Sequence, residues 1–181
     1  MRTLENGQRF AQLGAVMQIA YVPADFDAAL RFWIDTMGVG PFFVREHVQL
    51  EKVLYRGEVS CPDFDMALAY WGNIQIELVR QHNDAPSIYA DWRTSGLHGV
   101  QHLCVMVEDM DQTRRMVALQ GATIVQEVFM PADAGEAIYV DFGGGPGTMI
   151  EYLCLAPNRI AGFDAMRAAA SQWDGKDPVR Y

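Results

Sequence analysis

"HLCVMVEDMDQTRRMV", residues 102–117, repeats without a gap the pattern of "QIAYVPADFDAALRFW", residues 18–33. The alignment places His102 of the second copy opposite Gln18 of the first. Such a repeat outranks any local motif, because each copy is expected to form the same supersecondary unit. The repeat therefore indicates that the chain contains two similar structural units, one around each of these segments.

Each copy has the pattern of a short strand that leads into a helix. An aspartate suited to cap the helix follows the strand-like run, Asp25 in the first copy and Asp109 in the second. The helix-like sequence then stops at Gly38 and at Gly121, since glycine readily adopts the left-handed conformation that ends many helices. Both units therefore begin with a strand and a helix.

Further along, the two copies match again in a strand that contains a glutamate. "NIQIELV" (73–79) and "GTMIEYL" (147–153) place Glu77 and Glu151 among apolar neighbours. A carboxylate is costly to bury unless it is paired or bound to a metal. Two such carboxylates at equivalent points of a repeat indicate a shared site.

Each glutamate strand is preceded by a partner strand and a turn. "FDMALAYW" (64–71) leads through Gly72 and Asn73, and "AIYVDF" (137–142) leads through the glycine-rich run 143–147. Each half then reads as strand, helix and about three strands. The sequence predicts an α+β fold in which two tandem βαβββ modules form a concave, partly closed mixed sheet.

The repeat also divides the chain into segments. We predict an N-terminal leader, a single domain of two modules joined by an ordered connector, and a C-terminal helical tail. The leader covers residues 1–13, the domain 14–155, its first module about 14–83, the connector 84–99, its second module about 100–155, and the tail 156–181.

Composition excludes several classes of protein. The chain is 50% hydrophobic and 20% charged, which is typical of a globular protein with a sizeable core. A net charge of −9 with only two lysines argues against nucleic acid as a partner. There is no apolar run long enough to span a bilayer, no apolar signal core near the N-terminus and no CxxC spacing. We expect a cytoplasmic protein with reduced thiols and without a membrane partner.

Strand alternation places the four polar residues of the repeat on one face. Alternate side chains of a strand share a face. The concave face is expected to carry Gln18, Glu77, His102 and Glu151. The opposite faces suit packing against helices and carry Met17, Ile19 and Tyr21 in the first copy and Ile150 and Tyr152 in the second. One imidazole, one amide and two carboxylates are donors typical of a site for a divalent ion of the zinc, nickel, cobalt, manganese or magnesium type.

With these residues the chain resembles the vicinal oxygen chelate superfamily, which includes glyoxalase I, methylmalonyl-CoA epimerase and the extradiol dioxygenases. The likeness covers about residues 14–155. "GVGPFFV" (38–44), "YRG" (55–57) and "AAASQWDGKDPVR" (168–180) are similar to the glyoxalase-like subgroup often labelled epimerase-like.

The resemblance implies a metal site and identifies its ligands. Carried over residue by residue, the family's metal positions are Gln18, Glu77, His102 and Glu151, in the order found in the zinc-type branch of glyoxalase I. Zinc is the expected ion, with nickel, cobalt, manganese, magnesium or iron as alternatives. Methylmalonyl-CoA epimerases generally have histidine where this chain has Gln18, and extradiol dioxygenases bind iron through two histidines and one glutamate.

The resemblance also implies an activity. We expect a metal-dependent lyase, isomerase or epimerase that transfers a proton next to a carbonyl through a metal-stabilised enolate or enediolate. Glu151 is the first candidate for the catalytic base and Glu77 the second. The substrate would be a small acid, a thioester or a hydrophobic ketone. The first alternative is a non-catalytic protein of the same fold that binds small molecules. The second, less favoured alternative is a non-haem iron dioxygenase.

The hairpin that contains Glu77 predicts part of the substrate pocket. If Gly72 and Asn73 form the turn, three residues of the first strand pair across to the glutamate strand and share its face. The predicted substrate-binding residues are Tyr70, Gln75, Met66, Leu68, Met106 and Phe43. The C-terminal tail is expected to be an amphipathic helix that closes either a homodimer contact or the mouth of the pocket.

Overall fold

The computed structural model describes residues 9–181. The first eight residues of the predicted leader lie outside this range. The first module contains β1 (Val16–Tyr21), α1 (Phe26–Arg31) with a π-helical continuation (Phe32–Thr36), β2 (Phe42–Arg45), β3 (Lys52–Tyr55), β4 (Glu58–Ser60), β5 (Phe64–Trp71) and β6 (Ile74–Gln81). The rest of the chain contains α2 (Ile88–Ser95), β7 (Val100–Met106), α3 (Met110–Gln120), β8 (Thr123–Phe129), β9 (Gly135–Asp141), β10 (Met149–Leu155), α4 (Pro157–Ser171) and β11 (Val179–Arg180), with short 3₁₀ turns at Phe10–Gln12 and Pro131–Asp133.

All of these strands belong to one mixed sheet in the order β11-β2-β5-β6-β1-β7-β10-β9-β8-β3-β4. The two modules meet at its centre, where β1 pairs antiparallel with β7. Beside this pair, β6 runs parallel to β1 and β10 runs parallel to β7. The predicted pair of βαβββ modules is confirmed. The sequence did not predict the additional β3–β4 hairpin. This hairpin belongs to the first module in sequence, but its strand β3 pairs with β8 of the second module.

The register of the central strands reproduces the sequence repeat. Ala20 lies opposite Glu77, and its repeat equivalent Cys104 lies opposite Glu151. Ala20 also faces His102 across the β1–β7 pair. Because equivalent residues keep equivalent partners, the two glutamates lie on either side of the same central pair of strands.

Both predicted helix ends are present. The side chains of Asp25 and Asp109 each accept a hydrogen bond of 2.8 Å from the backbone N–H three residues further on. Gly38 and Gly121 follow the helices with φ of 66° and 67°, a left-handed conformation that strains most other residues. The aspartates therefore fix where each helix begins, and the glycines fix where each helix ends.

The helices α1 and α3 pack on the convex face of the sheet, as the alternation predicts. Tyr21 lies against Trp33 of the first helix, with ring centroids 5.8 Å apart, and Tyr152 packs with Val117 of α3. Met17 is an exception, because it packs with the apolar cluster of the concave face. The β1–β7 register shifts between Val16 and Gln18, and this irregularity interrupts the alternation.

The C-terminal helix α4 covers one part of the concave face. Its Met166 packs with Leu68 and Tyr70 of β5. Between residues 9 and 181 there is no helix with the length and apolar character needed to cross a membrane.

Replacing Gly135 by alanine is expected to lower the free energy of unfolding by about 1–3 kcal/mol. Gly135 has a φ of 141°, and a Cβ there would lie 2.4 Å from the backbone oxygen of Cys154. Urea denaturation measures the change. Gly162→Ala in α4 is the matched control, because its Cβ meets nothing within 4 Å and an alanine should stabilise the helix by about 1 kcal/mol. Equal stability of the two variants would contradict this account.

Candidate metal centre

Three of the four predicted ligands converge at the centre of the sheet. His102 Nε2 lies 3.4 Å from Glu77 Oε2 and 3.3 Å from Glu151 Oε2. Their potential ligand atoms all lie within 4.8 Å of one another. Each of the three side chains is buried, and His102 has no exposed surface. The parallel pairings of β6 with β1 and of β10 with β7 bring them together from different strands.

The spacing of these atoms fits a bound cation better than direct hydrogen bonds. A charge-assisted hydrogen bond between an imidazole and a carboxylate is about 2.7–2.9 Å long. Atoms that bind one tetrahedral ion at about 2.1 Å lie about 3.4 Å from each other. The observed separations of 3.3 and 3.4 Å match the second case.

Gln18, the fourth predicted ligand, lies buried on the neighbouring strand β1 with its amide oxygen free. Its Nε2 donates a hydrogen bond of 2.7 Å to Oε1 of Gln75. Gln18 Oε1 and His102 Nε2 are both buried atoms without a hydrogen-bond partner. Native structures leave few buried polar atoms unsatisfied, so two of them at one site point to an absent binding partner. The donor set fits a divalent cation, and the four ligand assignments stay predictions.

A neighbouring amide orients the imidazole of His102. Nδ1 lies 2.5 Å from Oε1 of Gln101, which can only accept a hydrogen bond. The ring also packs edge-on against Tyr139, with centroids 5.1 Å apart. Nδ1 therefore carries the hydrogen, and Nε2 is directed between the two carboxylates. This arrangement is typical of histidines that bind metals.

Sequence reasoning missed the role of Gln101. Strand alternation assigns Gln101 to the face opposite His102, yet its long side chain reaches the imidazole of its own neighbour. The only signal was its position directly before the predicted ligand.

The electrostatics of the metal-free site depend on the two carboxylates. Burial by itself lowers the pKa of His102, but the proximity and negative charge of Glu151 and Glu77 outweigh it and raise the pKa to about 9. Burial raises the pKa of Glu77, and the nearby imidazole offsets part of this effect. Without a metal, His102 is therefore protonated at neutral pH and supplies the positive charge that the carboxylates need.

Zinc loading is expected to release about one proton per ion near pH 7, because the metal must displace the proton on His102 Nε2. The proton competes below a pKa of about 9. Raising the pH should therefore strengthen binding, by up to about tenfold for each pH unit. Titration calorimetry in buffers of different ionisation enthalpy counts the protons. Loading without proton release at pH 7 would contradict the assignment of His102.

The candidate metal centre forms one end of a cavity of about 140 Å³. Gln18, Glu77 and Glu151 contribute to its lining. Its apolar wall includes Val48, Leu50, Phe64, Met66, Leu68 and Leu153. The volume exceeds that of several water molecules, so the cavity has room for a small organic ligand beside an ion.

The predicted substrate-binding residues fall into two groups. Met66 and Leu68 line the cavity, and the predicted pairing of Leu68 with Glu77 across the hairpin is confirmed. Tyr70 and Phe43 do not line it, because they pack with α4 in the cluster around Met166. Sequence alternation correctly placed Tyr70 on the concave face but did not show that the tail covers it.

Gln75 and Met106 also lie outside the cavity wall. Gln75 has no exposed surface and accepts the hydrogen bond from Gln18, so it supports a predicted ligand and does not line the cavity. Met106 is the last residue of β7, a strand that contributes no residue to the cavity lining.

Several residues of the cavity wall were not predicted from the sequence. Tyr89 of the connector and Tyr139 of β9 both line the cavity, and their hydroxyl oxygens are 3.3 Å apart. Arg159 and Phe163 come from α4. Tyr139 was recognisable only from its place in the hairpin opposite Glu151. The sequence left open whether the tail helix closes a homodimer contact or the mouth of the pocket, and α4 contributes to the cavity wall.

A second group of potential ligands, His47, Asp65 and His82, lies outside this cavity. Here the donors are already satisfied. Asp65 accepts from Arg80 at 2.7 Å and lies 2.8 Å from His82 Nε2, and His47 lies 2.7 Å from Asp63. The guanidinium already supplies the positive charge that a cation would bring. The group is a hydrogen-bonded ion-pair network.

Comparisons with known proteins place the chain among similar folds. The family model of the glyoxalase/bleomycin resistance protein/dioxygenase superfamily matches residues 17–140. A methylmalonyl-CoA epimerase from Mycobacterium tuberculosis is 21% identical over 87% of this chain and 99% of its own, with a TM-score of 0.56.

Two other solved structures are similar at lower identity. A methylmalonyl-CoA epimerase from Streptomyces coelicolor, in complex with 2-nitronate-propionyl-CoA, is 15% identical over 80% of this chain and 96% of its own, with a TM-score of 0.56. A hypothetical protein from Bacillus halodurans is 14% identical over 79% of this chain and 95% of its own, also with a TM-score of 0.56. No curated protein matches the chain. At these identities the structural likeness shows the fold alone.

Proposed function

The chain belongs to the glyoxalase/bleomycin resistance protein/dioxygenase superfamily, and from this premise we propose that it is a metal-dependent enzyme that transfers a proton next to a substrate carbonyl. The observation that supports the proposal best is the convergence of Glu77, His102 and Glu151, whose two carboxylates line the cavity. Such a set combines ligands for a divalent ion with carboxylates that can accept a proton.

The four residues that would hold the ion are Gln18, Glu77, His102 and Glu151. A divalent ion bound there would polarise the carbonyl oxygen of a substrate and so lower the pKa of the adjacent C–H. Gln18 would bind through its free Oε1 and His102 through Nε2, while Gln75 and Gln101 hold these side chains in orientation. Zinc is the ion that we expect.

Proton transfer is assigned to the carboxylates. Glu151 is the proposed base, accepting the proton from carbon at a carboxylate oxygen, and Glu77 is the candidate on the opposite side of the central strands. Burial at the end of an apolar cavity limits the access of water to both. Burial also raises the pKa of Tyr89 and Tyr139 well above the ordinary value, so both remain neutral hydroxyls. The hydroxyl that does not donate to the other is able to donate a hydrogen bond to the substrate.

Two opposed carboxylates suit an epimerase, which removes a proton from one face of a carbon and returns one to the other. An isomerase or lyase that needs one base is the second form of the same chemistry. The apolar wall suits a small acid, a thioester or a hydrophobic ketone. The methylmalonyl-CoA epimerases among the similar structures make a CoA thioester a reasonable first substrate to test.

The proposal is tested by metal content and by isotope exchange. Protein purified without chelator should contain about one divalent ion per chain. In D₂O it should exchange the hydrogen on the carbon next to the substrate carbonyl for deuterium. A protein that binds small molecules but takes up no metal after supplementation would instead be the non-catalytic binder. A dioxygenase is disfavoured because the cluster has one imidazole, whereas the extradiol iron site uses two histidines.

A cytoplasmic location and a homodimer remain proposals. The three cysteines are free thiols, as expected for a reducing compartment.

A further inference from the structure

Two arginines lie in the wall of the cavity that contains the candidate metal centre. Arg45 is the last residue of β2, and Arg159 lies in the first turn of α4. Both line the cavity, and both are exposed, so they stand at its mouth rather than in its buried interior. The same cavity has Glu77 and Glu151 at its buried end.

Neither guanidinium is neutralised by the protein. Within residues 9–181, the side chains of Arg45 and Arg159 make no ion pair and no hydrogen bond. By contrast, Arg56, Arg80 and Arg114 each pair with a carboxylate at 3.0 Å or less. The chain has 23 acidic residues against 14 basic ones, so acidic partners are abundant. Exposed arginines elsewhere in the described range, such as Arg115, also lack a partner, but Arg45 and Arg159 share one cavity wall and leave there a positive charge that an anionic ligand would neutralise.

The two positive charges also oppose each other. Partial desolvation by the cavity wall, together with the like charge of Arg159, lowers the pKa of Arg45. The first turn of α4 contains no acidic residue, and no side chain caps its first backbone N–H groups. An anion between the two guanidinium groups would relieve the repulsion and accept hydrogen bonds from both, in the forked geometry that arginine offers to carboxylates and phosphates.

We propose that Arg45 and Arg159 form an anion-binding subsite at the cavity mouth, which selects carbonyl substrates with a carboxylate or phosphate at the end remote from the reacting carbon. Such a molecule would place its anion between the arginines and its chain along Met66 and Phe163. Its carbonyl would lie beside Glu77 and Glu151. The carbonyl half of this assignment rests on the proposed function. The anion half rests on the two arginines alone.

The experiment compares matched charged and uncharged probes by NMR titration. Levulinate is paired with its methyl ester to test a carboxylate, and dihydroxyacetone phosphate is paired with dihydroxyacetone to test a phosphate. At least one charged probe should bind more tightly than its uncharged partner, by about tenfold for each arginine that holds it. Arg45→Gln and Arg159→Gln should each reduce the preference by about tenfold, and the double variant should abolish it.

Arg115→Gln is the control, because it removes the same charge from an exposed position of α3 outside the cavity. It should keep the full preference. The titrations are run on zinc-loaded and on metal-free protein. A preference that persists without metal, and in a protein that fails to exchange protons, would support the subsite even if the proposed reaction were wrong. Absence of any preference in the wild type, or its survival in the double variant, would overturn the proposal.

Discussion

Replacing Glu151 by glutamine is expected to slow proton exchange at the substrate carbon by at least about a hundredfold, the lower end of what a positioned general base contributes. The amide keeps an oxygen that is able to bind the ion, as Gln18 does in our ligand assignment, but it has no basicity with which to take a proton from carbon. Deuterium uptake from D₂O measures the exchange, and elemental analysis of the same samples measures the metal.

Two companion variants separate the roles of the carboxylates. Glu77→Gln tests the opposite side of the site, and an epimerase should need both glutamates where a one-base enzyme tolerates this second loss. Glu58→Gln, on the exposed strand β4, makes the same chemical change away from the cavity and should exchange like the wild type. If Glu151→Gln retains its metal and exchanges at the normal rate, the base must be Glu77 or a water molecule.

Replacing His102 by alanine is expected to weaken zinc binding by about a hundredfold or more. Loss of a residue that only supports a ligand already costs about 10–100-fold, and His102 is the single nitrogen donor of the predicted set. The change also leaves two buried carboxylates without the imidazolium that balances them in the metal-free protein. Competition with a chromophoric chelator measures the affinity, and circular dichroism reports whether the fold is retained.

His102→Gln guards against a variant that fails to fold. It restores much of the volume and one donor atom, so it should recover part of the affinity that alanine loses. His98→Ala removes an exposed imidazole from the loop before β7 and should bind zinc normally. Wild-type zinc affinity in both His102 variants would show that the ion binds elsewhere.

The central strands could be predicted from the sequence because their information is local and doubled. Strand alternation and the repeat place Glu77, His102 and Glu151 on one face, and the short turn at Gly72 fixes the pairing of β5 with β6. The polar character of a buried strand position is itself a strong signal, since an unpaired carboxylate there is costly.

What could not be predicted depends on contacts between distant parts of the chain. Tyr70 fits the cavity face by alternation, but α4 returns from the C-terminus to cover it. The same helix delivers Arg159 and Phe163 to the cavity wall. Strand alternation carries no information on where a C-terminal tail packs. The sequence therefore predicted the cavity residues on the sheet but not those that α4 contributes.

The β3–β4 hairpin makes the two halves of this repeat interdependent. It belongs to the first module in sequence, yet Lys52 and Tyr55 pair with Phe129 and Gln126 of the second. The first half expressed by itself would expose the edge of β1, and the second half would expose the edge of β7. The second half would also lose β3, which pairs with the edge of β8. Unpaired strand edges promote aggregation. Although the repeat has the form of a duplication, we expect that neither copy folds by itself and that a site assembled from both halves forms only when the two halves fold together.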